Sequence, residues 1–477
     1  MNPIELILTC FEQVSAIPRG TKNEAGIRAW LQEWAHERRL LTKVDATGNL
    51  VIQVPASQGY EDRPTLILQG HLDMVCQKTP DSRHDFTRDP IRLIREGDWL
   101  VADKTTLGAD NGIAIALMMA LVDDDTILHP ALELLMTVEE EVGVTGADQI
   151  DPALLTGKTL INLDSEEEGV ITIGCAGGGG LHITLPVSWE ARSPTEATFE
   201  LRIAGLMGGH SAEDINKHRG NANKLIARVL DYIQGRVPIR LASLKGGTAR
   251  NAIPREAGAL FTCPLDGVAA CQEQFAQIQQ TILDEHLHTE PGLYLNLTQK
   301  NIENLYALSR SETLTAIRLL ISLPQGVSAM SAEIPGLIET SSNIGIVELQ
   351  EIGLLIVSHQ RSSLISRLEE ITSRVEAMAW LAGARTERTK LFPPWQPNMS
   401  SALLKKCIEI YQAVHGKQPE VSIAHGGVEC GVISERCGGL DTISLGPTIQ
   451  NPHSPDERLF IPSLVATWTF LAALLIA

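Results

Sequence analysis

Short, almost wholly apolar runs alternate with helical segments along the first part of the chain. Residues 65–68, 132–138 and 159–163 are such runs, and residues 112–122 form a stretch rich in alanine, leucine and methionine. Short runs with few polar residues are typical of strands that are buried on both faces. Their alternation with helices predicts an α/β fold with a mostly parallel or mixed sheet.

Two breaks interrupt this pattern and predict two domains, since a chain of 477 residues is too long for one hydrophobic core. The first break is a glycine run at residues 174–180, and the second is a proline-rich segment at residues 393–397. Glycine is unfavourable inside helices and strands, and consecutive prolines form a stiff connector. We therefore expect a first domain of residues 1–180 and 394–477, with residues 181–393 inserted as a second domain.

Composition excludes several classes of protein. The formal net charge of −19 argues against a general nucleic-acid-binding protein, which would present a basic surface. The eight cysteines include no CxxC pair, which favours reduced thiols in a cytoplasmic protein. The N-terminal residues lack the basic region of a signal peptide, and the apolar stretch 464–477 is shorter than the roughly 20 residues that span a bilayer. We therefore expect neither a nucleic-acid nor a membrane partner.

A helix is predicted near the N-terminus by a capping pattern. Thr21 is followed three residues later by Glu24, which is the spacing of a capping box. Apolar residues then recur with helical spacing at Ile27, Leu31 and Trp34.

His71 and Asp73 follow directly on the apolar run at residues 65–68. Residues i and i+2 of an extended chain point to the same side, so Asp73 can reach the far ring nitrogen of His71. A carboxylate in that place fixes the tautomer of a metal-binding histidine. A purely structural contact would have the same spacing.

Further polar side chains stand at the ends of the other apolar runs. Three adjacent carboxylates, Glu139, Glu140 and Glu141, follow residues 132–138, and Asp164 follows residues 159–163. Adjacent carboxylates repel one another, so they need a compensating charge unless they form a solvated acidic loop.

Asp110 and His453 have less distinctive surroundings. Asp110 lies at the start of the predicted helix 112–122, where a simple N-cap would look the same. His453 lies in a loop shortly before the terminal apolar stretch. Open α/β sheets place their sites at the carboxyl ends of strands, so these groups together predict a metal site. Nitrogen and oxygen ligands without thiolate suit zinc, manganese or cobalt.

Eight segments, in order along essentially the whole chain, carry a resemblance to a known family. They are GHLDMVCQK (70–78), TTLGADNGIAIA (105–116), TVEEEVGVTGA (137–147), INLDSEEEG (161–169), MGGHSAEDI (207–215), RNAIP (250–254), AHGGVECG (424–431) and NPHSPDERL (451–459). They resemble the aminoacyl-histidine dipeptidases, which belong to the wider metallopeptidase family of tripeptidase T, acetylornithine deacetylase and carboxypeptidase G. The resemblance implies a zinc-exopeptidase-like catalytic domain of mixed sheet and an inserted α+β lid or dimerisation domain.

The resemblance also implies a metal centre with two divalent ions, zinc above all, with manganese or cobalt as alternatives. His71 and Asp164 would hold one ion, Glu141 and His453 the other, and Asp110 would bridge them. The two ions would polarise the scissile carbonyl and activate a shared water.

Two further roles at that centre follow from the resemblance. Glu140 would be the general base, and Asp73 would be the partner of His71. The acidic pair of the family precedes a glycine by one or two residues, which places the pair at Glu140 and Glu141. A slip of one residue, to Glu139 and Glu140, is the alternative.

In the inserted domain, His210 corresponds to the lid histidine that helps to stabilise the tetrahedral oxyanion. Asn251 and Arg361 are candidates for binding the C-terminal carboxylate of a peptide, which suits the bidentate guanidinium. A surface salt bridge is the alternative for Arg361. Since lids of this family often mediate dimers, we expect a homodimer.

The predicted function is hydrolysis of dipeptides, of the Xaa-His type, as small peptide substrates. The first alternative is an amidohydrolase or deacylase, or an aminotripeptidase, of the same family. The remote alternative is a non-catalytic metal-binding protein that keeps the fold.

Overall fold

The computed structural model describes residues 2–332, 334 and 336–477, and the chain falls into two units. Unit 1 consists of Met1–Cys175, Trp395–Ala424 and Val428–Ala477, and unit 2 of Ala176–Pro394 and His425–Gly427. The chain thus leaves unit 1 five residues before the end of the predicted first domain.

Helices form where apolar side chains recur on one face. In the fifth helix, for example, Leu225, Ile226, Val229, Leu230 and Ile233 are buried together, and the Asn221 side chain caps the N-terminus. The helices are α1 (Pro3–Ser15), α2 (Ala25–Glu37), α3 (Ala109–Asp123), α4 (Thr145–Asp148), α5 (Ala222–Gln234), α6 (Val268–Glu285), α7 (Arg310–Ser322), α8 (Ile365–Leu381), α9 (Ala402–His415), α10 (Glu429–Arg436) and α11 (Ile461–Ile476). Within the described residues, no helix is long and apolar enough to cross a membrane.

The longest strands belong to unit 2. The first are β1 (Leu41–Val44), β2 (Leu50–Val54), β3 (Leu66–His71), β4 (Leu93–Glu96), β5 (Trp99–Ala102), β6 (Leu132–Thr137), β7 (Thr159–Asn162), β8 (Val170–Cys175), β9 (Gly177–Pro186), β10 (Trp189–Ala191), β11 (Glu196–Ala204) and β12 (Gly209–His210). The remainder are β13 (Arg240–Gly246), β14 (Ala252–Ile253), β15 (Ala257–Pro264), β16 (Tyr294–Lys300), β17 (Tyr306–Leu308), β18 (Gly326–Met330), β19 (Ile338–Gln350), β20 (Gly353–Ser362), β21 (Arg385–Arg388), β22 (Glu420–Ala424), β23 (Asp441–Ser444), β24 (Ile449–Gln450) and β25 (Arg458–Phe460).

The main sheet of unit 1 has the strand order β1-β2-β6-β3-β7-β23-β8-β22. The central pairs β3–β6, β3–β7 and β7–β23 are parallel, whereas β1–β2 and β2–β6 are antiparallel. The predicted mixed α/β fold is confirmed. Because β3, β6 and β7 run parallel, their carboxyl ends meet at one edge of the sheet.

The main sheet of unit 2 has the strand order β16-β11-β15-β13-β19-β20-β9-β21 and is antiparallel throughout these pairs. Its hydrophobic core includes Phe199 and Phe261, whose stacked rings lie 5.8 Å apart between centroids. Helix α5 covers the same core with Leu225 and Ile233.

The glycine run covers the end of β8 and the start of β9, so the expectation that glycine would be excluded from strands here is wrong. Residues 177–180 open β9, which pairs with β20. A Cβ at Gly177 would stand 2.5 Å from the carbonyl oxygen of Phe392, and one at Gly180 would collide with the carbonyl of Ser358. Glycine is used here because neighbouring backbone approaches too closely for a side chain.

The predicted capping box at Thr21 and Glu24 is also wrong. Helix α2 begins at Ala25, and its N-cap residue, Glu24, makes no side-chain capping hydrogen bond. Instead, the Thr21 hydroxyl donates to Oδ2 of Asp73 at 2.9 Å, and Oε1 of Glu24 accepts the N–H of Glu139 at 3.1 Å. The side chains of Thr21 and Glu24 therefore bond to Asp73 and to the backbone of Glu139 rather than cap the helix.

Candidate metal centre

The ends of three parallel strands bring three of the predicted donors of unit 1, His71, Glu141 and Asp164, to one edge of the sheet. His71 is the last residue of β3 and lies opposite Thr137, the last residue of β6. Glu139, the first residue of the acidic segment 139–141, follows β6 by two residues, and Asp164 follows β7 by two residues. The register of the sheet therefore places these side chains at one edge.

One group of donors forms around His71, whose side chain is almost fully buried. Its Nε2 atom lies 3.0 Å from Oδ1 of Asp110 and 3.5 Å from Oδ1 of Asp164. A second group forms around His453, which is half exposed. Its Nε2 atom lies 2.9 Å from Oδ2 of Asp110 and 3.0 Å from Oε2 of Glu141. Asp110 thus offers one oxygen to each group.

The backbone around Asp110 departs from helical geometry, and Asn111 holds the segment in place. Asp110 and Asn111 have non-helical φ and ψ angles at the start of α3. Asn111 then accepts the N–H of His71 at 3.1 Å and donates to the carbonyl of Leu163 at 3.0 Å. Gly70 makes room for this, because a Cβ there would collide with the Asn111 side chain.

Asp73 links the first histidine to the acidic segment. Its Oδ1 atom lies 3.3 Å from Nδ1 of His71 and accepts the N–H of Glu140 at 3.0 Å. Its Oδ2 atom accepts the N–H of Glu141 at 3.3 Å. This buried carboxylate therefore orients both the imidazole ring and the backbone that carries the two glutamates.

The pKa values at this edge reflect burial set against opposite charges. Burial would lower the pKa of His71, but the charge of Asp164 and the hydrogen bond with Asp110 raise it well above its usual value. Hydrogen bonds with Asp110 and Glu141 raise the pKa of His453 to about 11. Burial raises the pKa of Asp164 to about 6.

Glu140 differs from its neighbours in its electrostatic environment. Loss of hydration is the largest influence on this carboxyl, and the charges of Asp164, Glu429 and Glu141 act in the same direction. Together they raise the pKa of Glu140 well above its ordinary value, against the opposing charge of His71. Such a carboxyl can hold a proton at a pH where an exposed glutamate cannot.

The donor set fits a metal ion. Ligand atoms of His71, Asp110 and Glu141 all lie within 4.8 Å of one another, and carboxylates outnumber imidazoles in the two groups. Oε1 of Glu141 is buried and, among the described residues, has no hydrogen-bond partner. A buried carboxylate oxygen is costly without a partner, and imidazole with carboxylate is a donor combination that divalent zinc or manganese accepts.

The three remaining predicted residues belong to unit 2. His210 lies opposite Ala252 in the β12–β14 pair, and the adjacent Ser211 N–H donates to the carbonyl of Asn251 at 2.8 Å. Arg361 lies in β20, where its Nη1 atom donates to the carbonyl of His425 at 3.5 Å. His210 and Asn251 are therefore neighbours, and Arg361 belongs to a second strand of the same unit.

Two further histidines surround Arg361. Burial lowers the pKa of His359 to about 3, and the charges of Arg361 and Arg250 act in the same direction. Burial and the charge of Arg361 also lower the pKa of His425 to about 3. Nε2 of His425 lies 2.7 Å from the Ser341 hydroxyl. Both rings are thus neutral near pH 7 beside a fixed positive charge.

Buried polar side chains close to the donors form a hydrogen-bonded network that was not predicted from the sequence. Oε2 of the fully buried Glu429 accepts hydrogen bonds from Gln69 at 2.7 Å and from Thr137 at 2.5 Å. Gln69 in turn accepts a hydrogen bond from Asn162 at 2.6 Å. Burial raises the pKa of Glu429 to about 8. Gln69 and Asn162 precede His71 and Asp164 by two residues. A polar residue at that spacing in a mostly apolar strand points to the same side as the donor, and this pattern could have revealed the network from the sequence.

Comparisons with known proteins agree with this geometry. The cytosol non-specific dipeptidase of Escherichia coli (strain K12) is 39% identical to this chain over 465 residues, which are 98% of this chain and 96% of that protein. The crystal structure of aminoacylhistidine dipeptidase from Vibrio alginolyticus superposes with a TM-score of 0.87 at 35% identity, covering 98% of this chain and 96% of that one.

A more distant solved structure shares the fold alone. It is the aminopeptidase PepT from Bacillus cereus ATCC 10987, with a TM-score of 0.56 and 16% identity over 99% of this chain and 98% of that one. The model of Peptidase family M20/M25/M40 matches residues 67–477. The resemblance seen in the sequence motifs is confirmed, and the chain belongs to Peptidase family M20/M25/M40, a family of hydrolases.

Proposed function

We propose that this protein is a metal-dependent dipeptidase, with Xaa-His dipeptides among its substrates. The observation that carries the proposal is the pair of donor groups that share Asp110, one around His71 and the other around His453. The relatives from Escherichia coli and Vibrio alginolyticus are both dipeptidases, which supports the substrate class.

The proposed centre holds two divalent metal ions. His71 and Asp164 would hold one, Glu141 and His453 the other, and Asp110 would bridge them. Zinc is the proposed metal, with manganese and cobalt as alternatives, because the donors are nitrogen and oxygen only. When bound, such ions polarise a peptide carbonyl and lower the pKa of water.

Glu140 is the proposed general base. It would take a proton from the attacking water and pass it to the leaving amine. A base with a raised pKa suits this exchange, since it must both accept and release a proton near neutral pH. Asp73 would act through His71, by holding the ring in the tautomer that presents Nε2 to the metal.

Unit 2 would bind the substrate. His210 would donate to the oxyanion, and Asn251 and Arg361 would bind the C-terminal carboxylate of the peptide. A carboxylate site at a fixed distance from the scissile bond would favour dipeptides over longer chains. In this proposal residues 181–393 are an inserted lid domain, and residues 1–180 and 394–477 form the catalytic domain.

We also propose a cytoplasmic homodimer. The cytosolic relative from Escherichia coli supports the compartment, and the resemblance of the inserted domain to family lids supports the dimer. Light scattering of the purified chain should give twice the mass of one chain. A mass equal to one chain would contradict the dimer.

The function is tested by hydrolysis of a small panel: several Xaa-His dipeptides, Leu-Gly-Gly and an N-acetyl amino acid. Each is measured with zinc, with manganese and after chelation. Wild type should cleave the dipeptides only when metal is present. The Glu140→Gln variant should lose about 10²- to 10⁴-fold in kcat.

Glu139→Gln is the matched control, because it makes the same change one residue away. It should keep activity within a few-fold of wild type. A loss of kcat in Glu139→Gln but not in Glu140→Gln would identify Glu139 as the general base. Faster hydrolysis of the tripeptide would identify the protein as an aminotripeptidase, and faster hydrolysis of the acetylated amino acid would identify it as a deacylase. Metal binding without any turnover would favour a non-catalytic protein.

A further inference from the structure

Glu457 is a buried carboxylate that contacts the backbone beside Asp110. It is 2% exposed, and its Oε2 atom accepts the N–H groups of Leu107 at 2.8 Å and Gly108 at 2.9 Å. Its Oε1 atom accepts the N–H of Asp110 at 3.2 Å. One side chain therefore satisfies three backbone donors of the segment that carries Asp110.

The backbone next to Glu457 is part of a paired strand. It follows His453 by four residues and directly precedes β25, in which Arg458 pairs with Val101 of β5. The pairing of β25 with β5 anchors the backbone next to Glu457. The segment of His453 and the segment of Asp110 are thus joined by hydrogen bonds that do not involve either donor side chain.

Arg19 holds the same segment from its other side. This buried guanidinium donates to the carbonyl of Gly108, and its Nη1 atom donates to the carbonyls of Leu72 at 3.0 Å and Asp73 at 2.9 Å. Gly108 has a φ of +68°, and a Cβ there would stand 2.8 Å from Arg19 Nη2. The segment of Asp110 is therefore tied to the segment of His71 as well.

We propose that Glu457, with Arg19, is the positioning residue that holds Asp110 between His71 and His453. This inference rests on the proposed metal centre. Its physical basis is distance, since a carboxylate that serves two donor groups must keep each oxygen in place to a fraction of an ångström. Three backbone N–H groups that donate to one buried carboxyl group provide such a restraint.

The diagnostic change is Glu457→Gln, which keeps the size of the side chain. The carboxamide oxygen can still accept two N–H groups, but its NH₂ group then faces a third N–H. Because both groups are hydrogen-bond donors, the N–H of Asp110 is left without an acceptor. Asp456→Asn is the matched control, because it removes one charge at the adjacent, exposed position.

The full chain is titrated with cobalt, and the visible absorption of the bound ion is recorded for wild type and both variants. We expect Glu457→Gln to bind cobalt about 10- to 100-fold more weakly, with altered bands, and to lower kcat more than it changes KM. Asp456→Asn should match wild type. Wild-type affinity and bands in Glu457→Gln would overturn the inference.

A second measurement uses the metal-free proteins. Hydrogen exchange at the amides of Leu107, Gly108 and Asp110 should be slow in wild type, and at Asp110 faster in Glu457→Gln. Wild-type exchange as fast as in an exposed loop would overturn the inference, even if the variant did not fold. Failure of the proposed function would look different: wild type itself would bind no cobalt, while the exchange pattern would still report on Glu457.

Discussion

Oδ1 of Asp73 lies 3.3 Å from Nδ1 of His71, while Nε2 of the same ring lies 3.0 Å from Oδ1 of Asp110. The backbone carbonyl of Asp73 lies 3.1 Å from Nδ1 as well. Two acceptors at Nδ1 favour the tautomer with its proton there. Nε2 would then be the atom that offers its lone pair to a bound metal ion.

Replacing Asp73 by asparagine should therefore weaken metal binding by about 10- to 100-fold. The carboxamide is a weaker acceptor for the Nδ1 proton, and it also loosens the two N–H groups of the acidic segment. Competition with a coloured chelator measures the affinity. Asp62→Asn, an exposed change nine residues before His71, is the control. Equal affinities of the two variants would contradict the role of Asp73.

Glu429 should make the metal-free protein less stable as the pH rises. Its pKa is about 8 in the folded protein against an ordinary 4.5, so between these values the folded state holds a proton that the unfolded state has lost. The free energy of unfolding then falls with rising pH across this window. Glu429→Gln should flatten that fall, measured by urea unfolding from pH 5 to pH 8. Glu409→Gln, at an exposed glutamate, should keep the wild-type slope, and an unchanged slope in Glu429→Gln would contradict the prediction.

His359 and His425 should have the opposite effect. Each has a pKa of about 3 in the folded protein against an ordinary 6.5, so the unfolded state binds more protons between those values. The free energy of unfolding should fall as the pH is lowered through that window. His425→Gln should reduce the slope between pH 7 and pH 4.5, whereas His288→Gln, at an exposed histidine of unit 2, should not. Identical slopes in both variants would argue against a neutral buried His425.

Arg361→Lys should raise KM for dipeptides by about tenfold or more, with little change in kcat. An ammonium cannot make the paired hydrogen bonds of a guanidinium to a carboxylate. The same variant should match wild type on dipeptide amides, which lack the carboxylate. Arg367→Lys, at an exposed position of α8, is the control. A KM difference that persists on the amides would show that Arg361 does not bind the carboxylate.

The strand-end residues could be predicted because their signal is local. His71 and Asp164 each follow a mostly apolar run, and a polar residue there is visible without any knowledge of the fold. The family resemblance, confirmed by the comparisons, added what spacing alone did not decide for Asp110, whose position also fits an ordinary helix N-cap.

The supporting residues could not be predicted in the same way, since their partners are remote in sequence. Glu429 bonds to Gln69 across 360 positions, and Glu457 to Leu107 across 350. No local pattern records such a pairing. The capping pattern at Thr21 misled for a related reason: tertiary contacts with Asp73 compete with the local helix signal.

The glycines that open β9 have a consequence for how this chain can vary. Gly177 and Gly180 supply no side chain to any chemistry, yet the carbonyls of Phe392 and Ser358 occupy the space that even a methyl group would need. A saturation library should therefore tolerate almost nothing at these two positions, while exposed positions of the same strand accept many residues. If these two glycines are invariant, the cause is the close approach of neighbouring main chain. Their invariance would then be evidence neither of flexibility nor of a catalytic role.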